Sequence, residues 1–304
     1  MKIGIVGMGW VGASVAVSVL HKGVASQLLL NDAREGLAEG EAMDLAHGSS
    51  FYPTASVRAA AIEEMVDADA VIVTAGKGGG PKDSRLDLLR INASIVADIA
   101  KRLRGLRGML VILTNPVDVM TRIAAEASGL PLERVIGTGT MLDTARLRST
   151  LGRHLRIEPR SIHAQVVGEH GDSEVVLWSS AELGGVSIRS WPGWDPSQED
   201  AIATEVRKAA YEIIARKGAT NHAIGLVTAA LLNWTLSGSR RIVNVSRVQE
   251  GVAGIRDVAI SLPTVVGLEG ATEVIEPEMD AREREALERS AEVLRTAYDE
   301  MNAS

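Results

Sequence analysis

The 304-residue chain contains no cysteine. That absence excludes a disulfide scaffold, thiolate metal sites and a cysteine nucleophile. An excess of positive charge is also lacking: 39 acidic against 32 basic residues leave a formal net charge of −7. Neither phosphate backbones nor anionic lipid headgroups attract such a protein at long range, so broad nucleic-acid or membrane binding is not expected. No stretch approaches the ~20 consecutive apolar residues of a membrane span. Met1-Lys2-Ile3-Gly4-Ile5-Val6 leads directly into a strand-like run, without the layout of a signal peptide. There is no internal repeat and no low-complexity tract. What is present, 46% hydrophobic and 23% charged residues, suits a globular protein, and at ~100–200 residues per domain the length allows two domains. The expectation is a soluble, cytoplasmic protein without a metal site.

Short apolar runs alternate with amphipathic stretches through the first half. Lys2–Val6, Leu28–Asn31, Ala70–Thr74, Met109–Thr114 and Val135–Gly137 are too short for helices and lack strict alternation. Such runs suit strands buried on both faces of a parallel sheet. Helical patterns lie between them, at about Trp10–His21, Arg34–Ala46, Asp83–Leu103 and Val117–Ser128. This order predicts βαβ units with right-handed crossovers, hence an α/β doubly wound parallel sheet over residues 1–140. Residues 141–304 read as an α+β unit, with strands at Val175–Ala181, Ile242–Ser246 and Val258–Leu262. Two long helical patterns separate the first of these from the others. Ser197, after Pro196 and before Glu199 and Asp200, reads as the N-cap of one, with Gly218 as its stop. A last helix runs from about Asp280 to Asn302, its apolar stripe formed by Leu287, Ala291, Leu294, Tyr298 and Met301. Ser190–Pro196, with two tryptophans and two prolines, is a surface connection whose purpose the sequence leaves open.

Gly7-Met8-Gly9-Trp10-Val11-Gly12 follows the first strand and opens the first helix. The first glycine permits a tight turn, the second lets the backbone approach a pyrophosphate, and the third lets helix and strand pack closely. Helix N-terminal N–H groups then favour a diphosphate. Asp32 ends the second strand, 20 residues beyond Gly12, where a carboxylate accepts hydrogen bonds from adenosine ribose hydroxyls and repels a 2′-phosphate. The pattern predicts NAD as cofactor in preference to NADP.

Val167-Gly168-Glu169-His170-Gly171-Asp172-Ser173-Glu174 resembles the active-site stretch of the L-lactate/L-malate dehydrogenases. Gly7–Gly12, Asn31-Asp32, Ala42-Met43-Asp44-Leu45, Thr114-Asn115-Pro116-Val117-Asp118 and Gly139-Thr140-Met141-Leu142-Asp143-Thr144-Ala145-Arg146 match in order and spacing, so the resemblance spans essentially the whole chain. It implies a Rossmann-type cofactor domain over 1–140, a substrate-binding α+β domain over 141–304, and NAD-linked hydride exchange with a small 2-keto or 2-hydroxy acid.

The resemblance also implies roles. Reduction of a 2-keto acid needs a proton at the carbonyl oxygen, which a histidine of reference pKa ~6.5 can supply and recover. His170 matches that residue, and Asp143 matches the carboxylate that orients it. Arg146, three residues after Asp143, shares its helix face and matches the guanidinium that grips the substrate carboxylate through two parallel hydrogen bonds. Arg85 lies in Lys77-Gly78-Gly79-Gly80-Pro81-Lys82-Asp83-Ser84-Arg85-Leu86, which matches a loop that closes over substrate, its arginine stabilising charge on the carbonyl oxygen. Asn115 matches a residue bonded to that oxygen, and Thr220 and Ile224 match positions along the substrate and nicotinamide pocket. Thr74, Ala75, Gly76, Asn92, Thr114 and Asn115 complete the implied cofactor contacts.

One position departs from the usual pattern. The loop residue that commonly discriminates pyruvate from oxaloacetate aligns with Gly79, which offers neither a neutral hydrogen bond nor a cation. Its small size leaves room for longer 2-keto acids, while Lys77 and Lys82 are cations near enough in sequence to serve a second carboxylate. Thr220 leans towards lactate-type members, so pyruvate/L-lactate is favoured over L-malate or a broad-range activity. A silent cofactor-binding protein of the same fold is disfavoured because His170, Asp143, Arg146 and Arg85 are all retained. Arg148 and His163 match cations that bind fructose 1,6-bisphosphate between subunits in allosteric bacterial members; unremarkable surface cations are the other reading. The family suggests a homodimer or homotetramer, and no N-terminal arm precedes Met1-Lys2-Ile3 to tie subunits together.

Overall fold

The computed structural model describes residues 1–79 and 84–303. Strands and helices alternate as β1 (Lys2–Val6), α1 (Trp10–Lys22), β2 (Gln27–Asn31), α2 (Leu37–His47), β3 (Ser56–Ala59), β4 (Ala70–Val73), α3 (Arg85–Arg102), β5 (Met109–Ile112), α4 (Val117–Ser128) and β6 (Val135–Gly137). The six strands are parallel, in the spatial order β3-β2-β1-β4-β5-β6. Strand order reverses between β1 and β4, which opens a crevice at their carboxyl ends.

Beyond β6 come α5 (Met141–Leu155) and five two-residue strands: β7 (Ile162–His163), β8 (Val166–Val167), β9 (Val175–Val176), β10 (Glu182–Leu183) and β11 (Val186–Ser187). The chain continues through α6 (Glu199–Lys217), α7 (His222–Leu236), β12 (Arg241–Glu250), β13 (Arg256–Gly267), β14 (Gly270–Val274) and α8 (Ala281–Asn302). The long antiparallel strands β12, β13 and β14 extend the same sheet past β6, joined where Ser246 faces Gly137.

Burial on both faces explains why β1, β4 and β5 read as continuous apolar runs. On one face Ile3, Ile5, Leu28 and Leu30 pack under α1 and α7 through Val15, Val19 and Leu232. On the other, Leu29, Val71 and Ile112 meet Val96, Ile123, Leu287 and Leu294 of α3, α4 and α8. A third cluster, including Leu147, Leu151, Ile162, Trp178, Ile202 and Val206, lies beneath α5 and α6.

Several boundaries differ from the sequence expectation for local reasons. Helix α2 starts at Leu37 and not Arg34, because the Arg34 N–H is bonded to Asp32 Oδ1 at 2.9 Å and Gly36 turns left-handed at φ 73°. Ser197 does not cap α6. Asp195 caps a single 3₁₀ turn over Pro196–Gln198 by accepting the Ser197 N–H, and the helix begins only at Glu199. Gly218 does stop it, in the left-handed region at φ 86°. The run Val175–Ala181 pairs as a strand only at Val175–Val176, and β3, a short half-exposed edge strand, was not anticipated. The expected start of α3 at Asp83 lies outside the described residues; Ser84 caps that helix by accepting the Asp87 N–H. Asp280 caps α8 in a reciprocal box with Glu283. The segment Ser190–Pro196 has a structural purpose. The Trp194 ring lies 5.7 Å from that of Trp178, and Arg189, just before the segment, bridges Glu199 of α6 and Asp280 at the head of α8. Among the described residues no helix is long and apolar enough to cross a membrane.

Gly12 has the least room of the fold's early glycines, since a Cβ there would overlap the Gly7 carbonyl oxygen. Gly12→Ala is therefore expected to lower unfolding stability by about 1–3 kcal/mol, the usual range for overpacking. Denaturant titration checks it, and an unchanged midpoint contradicts the packing argument.

Candidate active site

The β1–α1 turn is a cradle of backbone. Gly7 sits at φ 101°, and a Cβ on it would come within 2.5 Å of the Ala75 nitrogen. The Thr74 hydroxyl donates to the Gly7 carbonyl at 2.6 Å and fastens the turn to β4. Gly9 is the N-cap of α1, with no side-chain cap and no acid in the first turn. Those helix N–H groups thus face outward without a protein carboxylate, beside an exposed Trp10 and a half-buried Val11. Such a terminus is disposed to receive an anion.

Asp32 closes the other side. Its Oδ2 accepts the Met8 N–H at 2.7 Å, and its Oδ1 accepts the N–H and the Nε of Arg34 at 2.9 and 3.0 Å. Burial works to raise its pKa, but the Arg34 and Met8 hydrogen bonds outweigh that and hold the carboxyl below its usual value. A cleft of about 330 Å³ runs past Asn31, Asp32, Gly36 and Ala60.

At the carboxyl ends of β4 and β5 the expected cofactor residues come together. Thr114 donates to the Ala75 carbonyl at 2.7 Å, and a Cβ on Gly76 would press on the Thr114 methyl at 2.7 Å. The buried Asn92 amide accepts the Lys77 N–H at 2.7 Å and donates to the carbonyls of Asn115 and Lys77 at 3.0 and 3.3 Å. Its side chain is thus committed to holding two loops together. The Asn115 residue itself is exposed.

The expected catalytic residues gather around one carboxylate. His170 Nδ1 is 2.5 Å from Asp143 Oδ2, and Arg146 Nη1 donates to Asp143 Oδ1 at 2.6 Å. One carboxylate thereby holds two cationic side chains. The Asp143 side chain is 3% exposed, against 25% for His170 and 14% for Arg146, so the acid is sealed while its partners are partly open to solvent. Burial opposes a charged imidazole, yet the Asp143 charge and hydrogen bond, with Asp118 adding, raise the His170 pKa well above its ordinary value. Burial likewise opposes the Asp143 anion, and His170 and Arg146 overcome it, so its pKa is lowered. The result is an imidazolium fixed through Nδ1, with Nε2 left to carry a proton to or from a ligand.

Asp118 is a residue the sequence reading did not single out. It is 2% exposed, and its Oδ2 accepts the backbone N–H of His170 at 2.7 Å. Burial pushes its carboxyl up to about 6 although that N–H favours the anion. The hint was an acid one residue into the helix that follows Pro116. The loop is pinned elsewhere too. Gly168 exchanges hydrogen bonds with Ser261 of β13, and the Glu169 N–H donates to Ser290 of α8 at 2.8 Å.

Arg85 is the exposed first residue of α3. Its positive charge acts on the Tyr211 phenol, which donates to Asp172 Oδ1 at 2.9 Å. Arg85 is thereby placed near the loop that carries His170. Of the glycine-rich stretch before it, Gly79 is described and exposed, and a Cβ there would meet Leu88 at 2.9 Å. Gly80, Pro81, Lys82 and Asp83 lie outside the described residues. Thr220 and Ile224, half-buried, flank the start of α7, which packs so tightly on α1 that a Gly225 Cβ would lie 2.6 Å from the Ser14 carbonyl.

Arg148 and His163 stand apart from this centre. Arg148 Nε donates to the Ala164 carbonyl at 3.0 Å, next to His163. Burial and the neighbouring Arg241 lower the Arg148 pKa, and among the described residues neither Arg148, His163 nor Arg241 has an ion-pair partner.

Comparison with known proteins agrees with the geometry. The lactate/malate dehydrogenase NAD-binding domain family matches residues 1–137, and the lactate/malate dehydrogenase alpha/beta C-terminal domain family matches residues 140–304. The chain is 43% identical over 304 residues to an L-lactate dehydrogenase of Thermus aquaticus, covering 98% of each chain. It is 44% identical over 300 residues to that of Salinibacter ruber, covering 96% of this chain and 95% of the other. A solved lactate dehydrogenase from a Medee basin deep-sea metagenome library superposes with a TM-score of 0.95 at 38% identity, over 99% of this chain and 98% of that one.

Removing the carboxylate beneath His170 should be felt in the fold. Asp118→Ala leaves the His170 N–H without its acceptor and is expected to cost about 1–3 kcal/mol. Asp118→Asn, which keeps an acceptor oxygen, should cost less. Paired denaturant titrations check the order, and an alanine variant as stable as the parent would falsify the anchoring role.

Proposed function

The chain belongs to the lactate/malate dehydrogenase family, and on that premise we propose that it is an NAD-dependent L-2-hydroxy-acid dehydrogenase interconverting pyruvate and L-lactate. The observation that carries the reading is the buried Asp143 carboxylate shared by His170 and Arg146, a proton donor fixed beside an anion clamp. In this reading residues 1–140 hold the cofactor and 141–304 bring the acid-binding side chains, with Arg85, Asn115 and Gly79 reaching in from the first segment.

The β1–α1 cradle fits NAD: a Gly7 side chain would block the backbone approach, the α1 N–H groups lack a competing acid, and the ionised Asp32 suits ribose hydroxyls. Thr74, Ala75, Gly76, Asn92, Thr114 and Ile224 shape the remainder of that surface. The nicotinamide supplies the hydride when NAD(H) is bound. Arg146 binds the substrate carboxylate through the N–H donors that Asp143 leaves unused, in the planar fork that a lysine lacks. That contact turns the keto group towards His170. The imidazolium gives its Nε2 proton to the carbonyl oxygen while Asp143 stabilises the ring, and in the reverse direction the neutral ring takes the proton back. Arg85 and the Asn115 amide stabilise charge developing on that oxygen. Thr220, the position that leans towards lactate-type members, favours pyruvate over oxaloacetate, as do the full-length relatives named L-lactate dehydrogenase.

A steady-state panel of pyruvate, oxaloacetate and branched 2-keto acids with NADH should give pyruvate the highest kcat/KM. Preference for oxaloacetate would overturn the substrate, and no turnover of any 2-keto acid would overturn the reading. His170→Asn should lower kcat by about 10²–10⁴-fold, the range for one general acid. The pH profile has a definite sign. Because the His170 pKa is raised, the protonated donor persists above ~6.5; pyruvate reduction declines only in the alkaline range, where lactate oxidation rises. Asp143→Asn should move both limbs towards lower pH.

The same reading extends to regulation and assembly, as a cytoplasmic homodimer or homotetramer. Arg148 and Arg241 are neighbouring guanidinium groups without acidic partners among the described residues, and with the adjacent His163 they suit a phosphate ester such as fructose 1,6-bisphosphate. An effector that binds one quaternary state more tightly shifts the population towards it. Adding the bisphosphate should lower the pyruvate KM or enlarge the oligomer in light scattering. No change in either would remove the effector from the proposal.

A further inference from the structure

One buried acid has no part in the site as described so far. Glu174 ends the loop that begins at Glu169 and enters β9 directly. It is 5% exposed, and its Oε1 is buried without a hydrogen bond. Arg207 of α6 passes beside it: Nη2 lies 3.5 Å from the Glu174 main-chain carbonyl, and the buried Nε has no partner. Although neighbours, the two side chains form no ion pair. A carboxyl group that is desolvated, unpaired and without a donor on one oxygen favours its neutral form.

The charged groups acting on Glu174 come from three elements: Asp143 and Arg146 from α5, Arg207 from α6, and His170 from its own loop. Burial first, and then the Asp143 charge, push its carboxyl up to about 8, which the three cations only partly offset. Asp118 adds a second anion behind His170. A neutral Glu174 leaves the positive charge of Arg146, His170 and Arg207 undiminished towards a monoanionic ligand. An ionised Glu174 draws on that same charge before the ligand arrives.

We propose that Glu174 is a positioning residue for the acid-binding pocket, one that holds a proton while the 2-keto acid binds so that Arg146 and His170 remain available to it. The proposal rests on the pyruvate/lactate reading above. Ionised Glu174 competes with the substrate carboxylate for the same cations, and the proton is released to solvent when the pocket is empty at alkaline pH. The group touches neither substrate nor cofactor and acts through Arg146 and His170.

Glu174→Gln fixes the side chain in a neutral, nearly isosteric form. The pyruvate KM and the dissociation constant of oxamate, an unreactive anionic analogue, are measured for both proteins from pH 6.5 to 9. The parent's values should rise about tenfold more across that range than the variant's, as expected for a group ionising near 8 that binds ligand only when protonated. Parallel profiles would overturn the proposal. A second readout needs neither a variant nor activity. In the parent protein labelled with ¹³C-glutamate, difference infrared titration should resolve a protonated glutamic acid at pH 7 that disappears near pH 8, and its absence would also overturn the proposal. Normal pyruvate turnover with parallel profiles refutes this inference alone, whereas a parent that turns over no 2-keto acid refutes the reading beneath it.

Discussion

A single sealed carboxylate organises the centre of this protein. Asp143 accepts from Arg146 on one oxygen and meets His170 on the other. Burying that anion would be costly alone, and it is tolerated because both oxygens face cations at hydrogen-bonding distance. The arrangement has three consequences together: it sets which ring nitrogen of His170 is free, it raises the affinity of that ring for a proton, and it orients the guanidinium. In the proposed function, removing Asp143 would therefore disturb proton transfer and anion binding at once, since the two roles share one carboxylate.

The parallel strands aim their carboxyl ends at one edge, where the turn after β1 and the loops after β4 and β5 meet. The antiparallel extension of the sheet through β13 then holds the His170 loop from behind by way of Gly168 and Ser261. Helix α8 adds Ser290. Although the chain carries seven more acids than bases, its ligands in this reading are anions. They are met by helix N–H groups and by guanidinium groups held inside, where local charge outweighs the field of the solvated shell.

Much of this was legible in the residues themselves. The strand–helix alternation, the β1–α1 turn, Asp32 and the pairing of Asp143 with Arg146 on one helix face follow from periodicity and spacing, which act over a few residues. Boundaries failed where a side chain competed with the helix backbone, as at Arg34 and Asp195. The edge strand β3 escaped notice because half-exposed residues carry little pattern. Asp118 and Tyr211 escaped for another reason: their partners, His170 and Asp172, lie 52 and 39 positions away.

The amino-acid sequence by itself determined the order of elements, the glycine cradle and the supply of chemically apt side chains. Tertiary structure alone decided which of them share an environment. Asp143 and His170 are 27 positions apart, and no local rule brings them to 2.5 Å; the packing of α5 against the loop after β8 does. Glu174 is an ordinary acid in the sequence and becomes a proton-holding one only when folding strips away its water and sets it beside Asp143 without an ion pair. Local propensity is a property of neighbouring residues along the chain, whereas proton affinity depends on dielectric and on charges that the fold draws together.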